Sequence, residues 1–350
     1  MPDNPPTSSR STPHQPPTAP AAPSARTGVL YVTTGSPTAP TPEAVRGWLE
    51  PFLSDKRIVN LPAVKWMPIL HGIILPRRSP KTAARYQEIW LEEGSPLLVY
   101  TERQRAGLER SLAAAGLDVP VVTASRYNEP TVRDALRALL DELRCERVVV
   151  LPVYPQYASV TNGTMVQEVF AALSERRRIP SVDFIDSYCA EPGYLDALAS
   201  HVARHWTYAD DGRHHLVFTF HSTLVEDVES GDVYRAQAEF TAREVARRLG
   251  LPDGGWSVGF QSVFDKRPWL GPLTAQDVLP RLAAQGVTDV ALVAPGFTAE
   301  CLETHFDIDV EQRGVFEQLV PEGTFTYVPC LNDDPGYVKA LAGIVRRHIV

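Results

Sequence analysis

Short apolar runs that each end in polar or turn residues recur along this chain, and they restrict its fold more than any other feature. Gly28-Val29-Leu30-Tyr31-Val32 leads into Thr33-Thr34-Gly35-Ser36-Pro37, and His215-Leu216-Val217-Phe218-Thr219-Phe220 delivers His221-Ser222. Arg147-Val148-Val149-Val150-Leu151 ends at Pro152, and Val290-Ala291-Leu292-Val293-Ala294 ends at Pro295. Runs that are largely apolar, without strict alternation, belong to strands buried on both faces, as in a parallel sheet covered by helices. Shorter strand patterns at Val121 to Thr123, Val182 to Ile185 and Val258 to Gln261 alternate with helical patterns. The helical patterns lie at Pro42 to Phe52, Thr131 to Leu143, Met165 to Ser174, Ala236 to Leu249 and Ala275 to Ala284. The alternation predicts an α/β fold of two Rossmann-like lobes, each a parallel sheet flanked by helices, with a cleft between them. Ligands of such sheets lie outside the carboxyl ends of the strands.

A chain of 350 residues with 44% hydrophobic content is long enough for one large or two medium domains. The expected organisation is a Pro/Ser/Thr-rich tail over 1–27, a first lobe over 28–195 and a second over 196–350 whose last helix packs back. The tail is nearly empty of large apolar side chains, so burial cannot offset its ordering entropy, and it is read as disordered. It has no apolar core segment of the secretory type, and a cytoplasmic location is expected.

The 34 basic residues are outnumbered by 42 acidic ones, for a net charge of −8, and no Lys/Arg block tracks a phosphate backbone. Nucleic acid is therefore excluded as a partner. Cys145, Cys189, Cys301 and Cys330 stand singly with no C-x-x-C pair, which disfavours a structural zinc or an iron–sulfur cluster and predicts buried thiols in a reducing compartment.

Two stretches carry chemistry. Leu61 to Leu75, within a lip expected at about 61–80, is strongly apolar although Pro62, Pro68 and Gly72 interrupt it, and it is too short to span a membrane. It reads either as core or as a lip that receives a flat apolar ligand or touches a membrane surface. His71 within it reads as a core histidine. The second stretch, Pro295 to Glu311, carries carboxylates at Glu300, Glu303, Asp307 and Glu311. At roughly 100° per helical residue these fall within about a third of a turn and form one acidic stripe. Alone, such a stripe is a solvated helix start. His221, at the end of its strand, changes that reading, because a neutral imidazole facing carboxylates can bind a divalent metal or carry protons near neutral pH.

Several motifs occur in order: Gly35-Ser36-Pro37, Gly94-Ser95-Pro96-Leu97, Ser125-Arg126-Tyr127, Leu151-Pro152-Val153-Tyr154-Pro155-Gln156-Tyr157, Gly231-Asp232-Val233-Tyr234, Phe260-Gln261-Ser262, Pro268-Trp269-Leu270-Gly271-Pro272 and Gly296-Phe297 through Glu303-Thr304. Together they resemble the ferrochelatases from about residue 28 to the C-terminus, and the segment Leu61 to Trp90 resembles the lip of the bacterial protoporphyrin type more than that of the coproporphyrin type.

The resemblance implies a two-lobe chelatase fold whose cleft holds a porphyrin while Fe²⁺ is inserted to make haem. It implies catalytic roles for His221 and Glu303, and porphyrin contacts at Thr34, Arg126, Tyr127 and Phe297. A metal set of His221, Glu303, Asp307 and Glu311 is implied, with Glu300 a further acidic position of the metal or proton path and π-helical turns in the acidic helix. Iron is then a substrate, no prosthetic group is expected, and the partners are a porphyrin, ferrous iron and a membrane surface touched peripherally by the lip.

The chain departs from the family pattern at Thr33-Thr34-Gly35 (usually Asn-Leu/Met-Gly), at His221-Ser222-Thr223-Leu224 (His-Gly/Ser-Leu-Pro), at Tyr157-Ala158-Ser159-Val160-Thr161-Asn162-Gly163 (Tyr-Ser-x-Ser-Thr-x-Gly) and at Gln261-Ser262-Val263 (Gln-Ser-Arg/Lys). Glu300-Cys301 stands where an acidic residue and His are usual, and Cys301 reads as a buried thiol or a soft metal contact. These departures leave open a non-catalytic porphyrin- or haem-binding paralogue, and a chelatase for coproporphyrin III or another divalent metal.

Overall fold

The computed structural model describes residues 26–349. The tail expected over 1–27 lies outside the described residues except for Arg26 and Thr27, and Thr27 already begins the first strand.

Among the described residues, eight strands form two four-stranded sheets. The first contains β1 (Thr27–Thr33), β2 (Val121–Ser125), β3 (Arg147–Pro152) and β4 (Ser181–Phe184) in the order β2-β1-β3-β4. The second contains β5 (His214–His221), β6 (Trp256–Gln261), β7 (Asp289–Val293) and β8 (Thr324–Tyr327) in the order β6-β5-β7-β8. Every pairing is parallel, so the two sheets repeat one topology. In each, the chain leaves the first strand toward one edge and the third toward the other. A crevice therefore opens at the carboxyl ends of β1 and β3, and again of β5 and β7.

The apolar runs became the central strands for the reason anticipated: Val29 to Val32, Val148 to Leu151, Val217, Phe218 and Val290 to Leu292 are fully buried. β8 was not among the predicted strands, because Thr324-Phe325-Thr326-Tyr327 is a short edge strand with only Phe325 buried. The helix Pro96–Ala114 was not predicted either; its apolar side chains are diluted by five charged residues between Glu102 and Arg110.

One buried cluster runs through both sheets, joining Val29, Tyr31, Val149 and Leu151 to Phe218, Phe220, Ala291 and Val293. The division expected at residues 195/196 cuts the helix Pro192–His205, whose Tyr194, Leu195 and Leu198 belong to that shared cluster. The last helix, Pro335–Ile349, lies against Pro192–His205 and against Pro96–Ala114 in the first half. Close approach to the latter depends on Gly107, where a Cβ would meet Val338 at 2.9 Å.

At the centre of this junction Gln104, fully buried, accepts the Tyr31 hydroxyl at 2.7 Å. Its amide donates to the carbonyls of Thr298 at 3.0 Å and Asn332 at 2.8 Å in the second half. Gln104→Leu keeps the volume and takes this partner from the Tyr31 hydroxyl and the Asn332 carbonyl, each at a cost of about 1–3 kcal/mol, while the Thr298 carbonyl keeps the Asn332 N–H at 2.8 Å. The expected result is a loss of roughly 3 kcal/mol in urea unfolding; a variant as stable as the parent would show that the bridge contributes nothing.

Candidate functional site

Each crevice at a strand end contributes a side chain to one cleft. β1 leads to Thr34, whose hydroxyl meets that of Tyr154, just past β3, at 2.6 Å. β5 ends in His221, and β7 is followed by the turn that presents Phe297. All four line an inner chamber of about 160 Å³ together with Trp48 and Phe52 of the helix Pro42–Ser54. The chamber adjoins an outer cavity of about 640 Å³, and His221 and Glu303 belong to the walls of both. That outer volume lies in the usual range for an organic ligand site.

The His221 ring has a defined polarity. Its Nδ1 lies 2.6 Å from the Ser222 carbonyl, which can only accept, so Nδ1 carries the hydrogen. The neutral ring therefore has its Nε2 lone pair free of that bond, available to a proton or a metal.

The acidic stretch departs from a plain α-helix. A helical turn at Leu302-Glu303 passes into a π-helix over Thr304–Gln312 before the α-helix Arg313–Leu319. The i→i+5 ladder winds more slowly than an α-helix, and side chains four apart stay aligned. Glu303, Asp307 and Glu311 accordingly line the outer cavity in one row. The end of the row is fixed by Gln312, whose amide donates to Gln261 at 2.6 Å.

Glu300 does not join this row, contrary to the stripe expected from the sequence. It lies before the helix, and its carboxylate is consumed by the Thr304 hydroxyl at 2.6 Å, the Tyr327 hydroxyl at 2.9 Å and the Cys330 backbone N–H at 2.8 Å. It pins the loop to the end of β8.

Arg126 and Tyr127 are likewise displaced from their expected role, for neither lines the cavity or the chamber. Arg126 and the Tyr127 hydroxyl both bond Asp55, each at 3.0 Å, and Arg126 also bonds the Thr164 hydroxyl at 2.9 Å. Tyr127 meets Phe52 edge-on at 5.2 Å, so it braces a chamber wall from behind. Thr34 and Phe297 do line the chamber. Cys301 is buried there too, and desolvation together with the Glu303 charge pushes its thiol well up.

Two features of the site were not extracted from the sequence. Ser262, at the end of β6, has a left-handed φ of 68° and donates a short hydrogen bond to Asp307. Its place after Phe260-Gln261 was the available signal. A basic row, Arg78, Lys81 and Arg85, lines the outer cavity from the helix Leu75–Ile89, and Arg85 approaches Glu311 at 3.5 Å. The 3- and 4-residue spacing of that row was legible as one helix face.

Burial raises the Asp307 carboxyl to about 6; the Ser262 hydroxyl pulls it down, the Glu303 charge pushes it up, His221 lowers it and Glu311 raises it. Among the described residues no three His, Cys, Asp or Glu side chains come close enough to hold a metal ion. His221, Glu303, Asp307 and Glu311 thus share a cavity as an open row.

A family model described as Ferrochelatase matches residues 26–349. The Ferrochelatase of Bordetella pertussis is 42% identical over 326 residues, covering 93% of this chain and 88% of its own length. That of Aeromonas hydrophila is 40% identical over 325 residues, covering 93% of this chain and 99% of the relative. Among solved structures, SirB from Bacillus subtilis with Fe³⁺ superimposes with a TM-score of 0.52 at 13% identity, covering 93% of this chain and 96% of that one. At that identity the likeness concerns the two-sheet fold alone.

Because the Asp307 carboxyl sits near 6 in the folded state against an ordinary 3.8, its ionisation opposes folding above about pH 6, and the penalty vanishes below about pH 4. Asp307→Asn should therefore be more stable than the parent at pH 8 by roughly 1–3 kcal/mol, with the gain gone by about pH 4. Urea midpoints at the two pH values test this, and a gain that grows toward acid would contradict it.

Proposed function

This chain belongs to the ferrochelatase family, and from that premise we propose that His221 and Glu303 manage the protons while it inserts Fe²⁺ into protoporphyrin IX to form protohaem. Insertion breaks two pyrrole N–H bonds, forms four iron–nitrogen bonds and removes the water shell of the ion. The site needs two proton acceptors and ligands that release the metal again.

The observation that supports the roles is the presence of His221, with Nε2 unblocked, and Glu303 in the walls of both the chamber and the outer cavity. In this reading His221 takes one pyrrole proton at Nε2 and Glu303 acts from the acidic helix. Asp307 and Glu311 continue from Glu303 as a route for incoming metal and outgoing protons. Asp307, near 6, exchanges a proton readily at neutral pH. An open carboxylate row with one imidazole holds iron briefly, whereas a closed cage of four ligands would retain it. Thr34 and Phe297 would contact the macrocycle, and Arg126 and Tyr127 would act through Asp55 and Phe52. Iron enters as substrate, and no prosthetic group is needed for these steps.

The lip supports a second part of the proposal, a cytoplasmic protein that touches a membrane from one side. Residues 63–89 form one helical segment with a π turn at Leu70–Ile74. Leu61 just before it and Val64, Ile69 and Ile73 within it are exposed, Val64 to 82%. Trp66 is not part of that apolar edge, because its indole N–H is tied to the Leu53 carbonyl at 2.7 Å. His71 lies 3.6 Å from Glu50, away from the proposed chemistry. No helix among the described residues is long and apolar enough to cross a membrane. Surface contact through such an edge suits a substrate that dissolves in lipid.

Anaerobic assay with Fe²⁺ and protoporphyrin IX should show His221→Ala and Glu303→Gln each at least about a hundredfold slower, with porphyrin binding retained. Near-parental rates in both would remove the assigned roles. In vesicle sedimentation the double variant Val64→Asp, Ile73→Asp should bind at least roughly tenfold more weakly. Unchanged sedimentation would rule out the lip as the contact.

A further inference from the structure

Three separate sequence motifs converge on one spot in the wall of the inner chamber. Gln156 comes from the loop after β3, Tyr234 from the start of the helix Tyr234–Leu249 and Gly296 from the turn after β7, and all three line the chamber. The chemistry proposed above uses neither Gln156 nor Tyr234. Gly296 has no side chain, and a Cβ built on it would lie 3.6 Å from each of Gln156 Oε1, the Tyr234 hydroxyl oxygen and Phe220 Cδ1. Two polar atoms from different halves of the chain thus face a single spot, beside the backbone that presents Phe297.

Neither polar atom is served by the described residues. Gln156 is 1% exposed, and its Oε1 has no partner. The orientation of its amide is fixed by a neighbour. The Thr241 hydroxyl spends its one hydrogen on the Gln237 carbonyl at 2.9 Å, so toward Gln156 it can only accept, and Nε2 donates to it at 3.0 Å. Oε1 is thereby left on the Gly296 side. Tyr234 is 8% exposed; burial above all, with the Asp232 charge, pushes its hydroxyl well up, so it keeps its hydrogen, and it enters no hydrogen bond among the described residues. The surroundings are firmly built. Asp232 accepts the backbone N–H groups of Tyr234 at 2.8 Å and of Ser159 at 2.6 Å, and Gln237 accepts that of Tyr157 at 2.7 Å. A buried acceptor and a buried donor, both held in place, cost free energy unless a third molecule joins them.

We propose that Gln156, Tyr234 and Gly296 form a binding site for one ordered water in the chamber wall, and that this water steadies the turn presenting Phe297. Water fits the chemistry of the site. It donates to Gln156 Oε1, accepts from the Tyr234 hydroxyl and is small enough for a space that a methyl group would fill. Neither Gln156 nor Tyr234 carries a charge, so the site suits a neutral ligand rather than an ion. The turn gains an anchor from it. On one side the Pro295 carbonyl accepts Tyr194 at 2.9 Å, and on the other the Thr298 hydroxyl donates to the Val153 carbonyl at 2.9 Å. Gly296, between them, makes no hydrogen bond of its own among the described residues. Gln156 and Tyr234 are then positioning residues for Phe297, a role in porphyrin binding that rests on the chelatase reading above.

High-resolution diffraction from crystals of the full chain should show a water peak within about 3.2 Å of both Gln156 Oε1 and the Tyr234 hydroxyl; a clear map without that peak overturns the proposal. Gly296→Ala tests it in solution. The methyl meets its neighbours at an ordinary 3.6 Å, so the backbone tolerates it, but it takes the place of the water and leaves Oε1 unserved. In the parental background the urea midpoint should fall by about 0.5 M or more, whereas in the Gln156→Leu background the same substitution should leave it unchanged or raise it. Equal shifts in the two backgrounds overturn the proposal. Metal-free titration with protoporphyrin IX in detergent micelles, followed by absorbance, reads the positioning role: Gln156→Leu and Gly296→Ala should each weaken binding by roughly threefold or more. Parental affinity in both variants overturns that role. A parent that binds no porphyrin overturns the chelatase reading, while diffraction and the urea cycle still decide the water site.

Discussion

Much of the site depends on one buried amide. Gln104 has no contact with solvent, and its oxygen and nitrogen join the first sheet's Tyr31 to two carbonyls of the second half, those of Thr298 and Asn332. Neighbouring bonds continue the seam. Thr298 donates its hydroxyl to the Val153 carbonyl at 2.9 Å, Tyr188 donates to the same carbonyl at 2.8 Å, and Tyr194 donates to that of Pro295 at 2.9 Å. Val153 follows β3 and Pro295 follows β7, so the seam ties together the loops at the two crevices. In a water-poor interior each of these groups would be costly unpaired, which makes the seam a strong constraint on relative placement. Side chains on these loops inherit that order, as a site built on rigid elements requires.

The acidic helix adds a second constraint. On an α-helix, side chains four apart drift round the axis by roughly 40° at each step. The π ladder from Thr304 to Gln312 keeps three, four residues apart, facing the same space. Mutual repulsion is moderated from the first half, where Arg85 approaches Glu311 and lies over Phe306 at 5.0 Å. Ser262 moderates it from the end of β6 by donating to Asp307, and takes up a left-handed backbone conformation to do so. The result is a row whose members differ in partner and solvation, one of them raised to about 6. In the role proposed for the row, such differences would give direction to proton movement, which a row of equivalent carboxylates would lack.

How much of this was legible in the sequence follows from the range of the interactions involved. The long apolar strands were plain, since burial on both faces writes itself into consecutive residues; the edge strand β8, with one buried side chain, was not. His221 was legible because it ends such a strand, and Glu303 because the family motif carries it. Glu300 was misread through helical periodicity, for its fate is decided by Tyr327 and Cys330, far along the chain. Arg126 and Tyr127 were placed one layer too far in, because the residue that captures them, Asp55, ends a helix about 70 positions earlier. Local pattern predicts what a residue packs against only when its partner is also local.

The two sheets share one topology and register, and the division of labour between them lies in what each strand end delivers. In the first half the ends of β1 and β3 deliver Thr34 and Tyr154, whose hydroxyls satisfy one another at 2.6 Å. Satisfied in this way, they make a neutral wall that neither competes for protons nor binds a divalent ion strongly. In the second half β5 delivers an imidazole with one nitrogen engaged, and the chain after β7 delivers an aromatic ring and then a carboxylate. A macrocycle between them would meet an inert face on one side and a proton-accepting, metal-tolerant face on the other. Protons and metal would then be handled from the second half, while the first half, through Trp48, Phe52 and the helix Leu75–Ile89, supplies shape and positive charge. Duplication of a fold is compatible with such one-sided chemistry because the sheets specify only where strand ends lie, and a few residues past each end decide what they do.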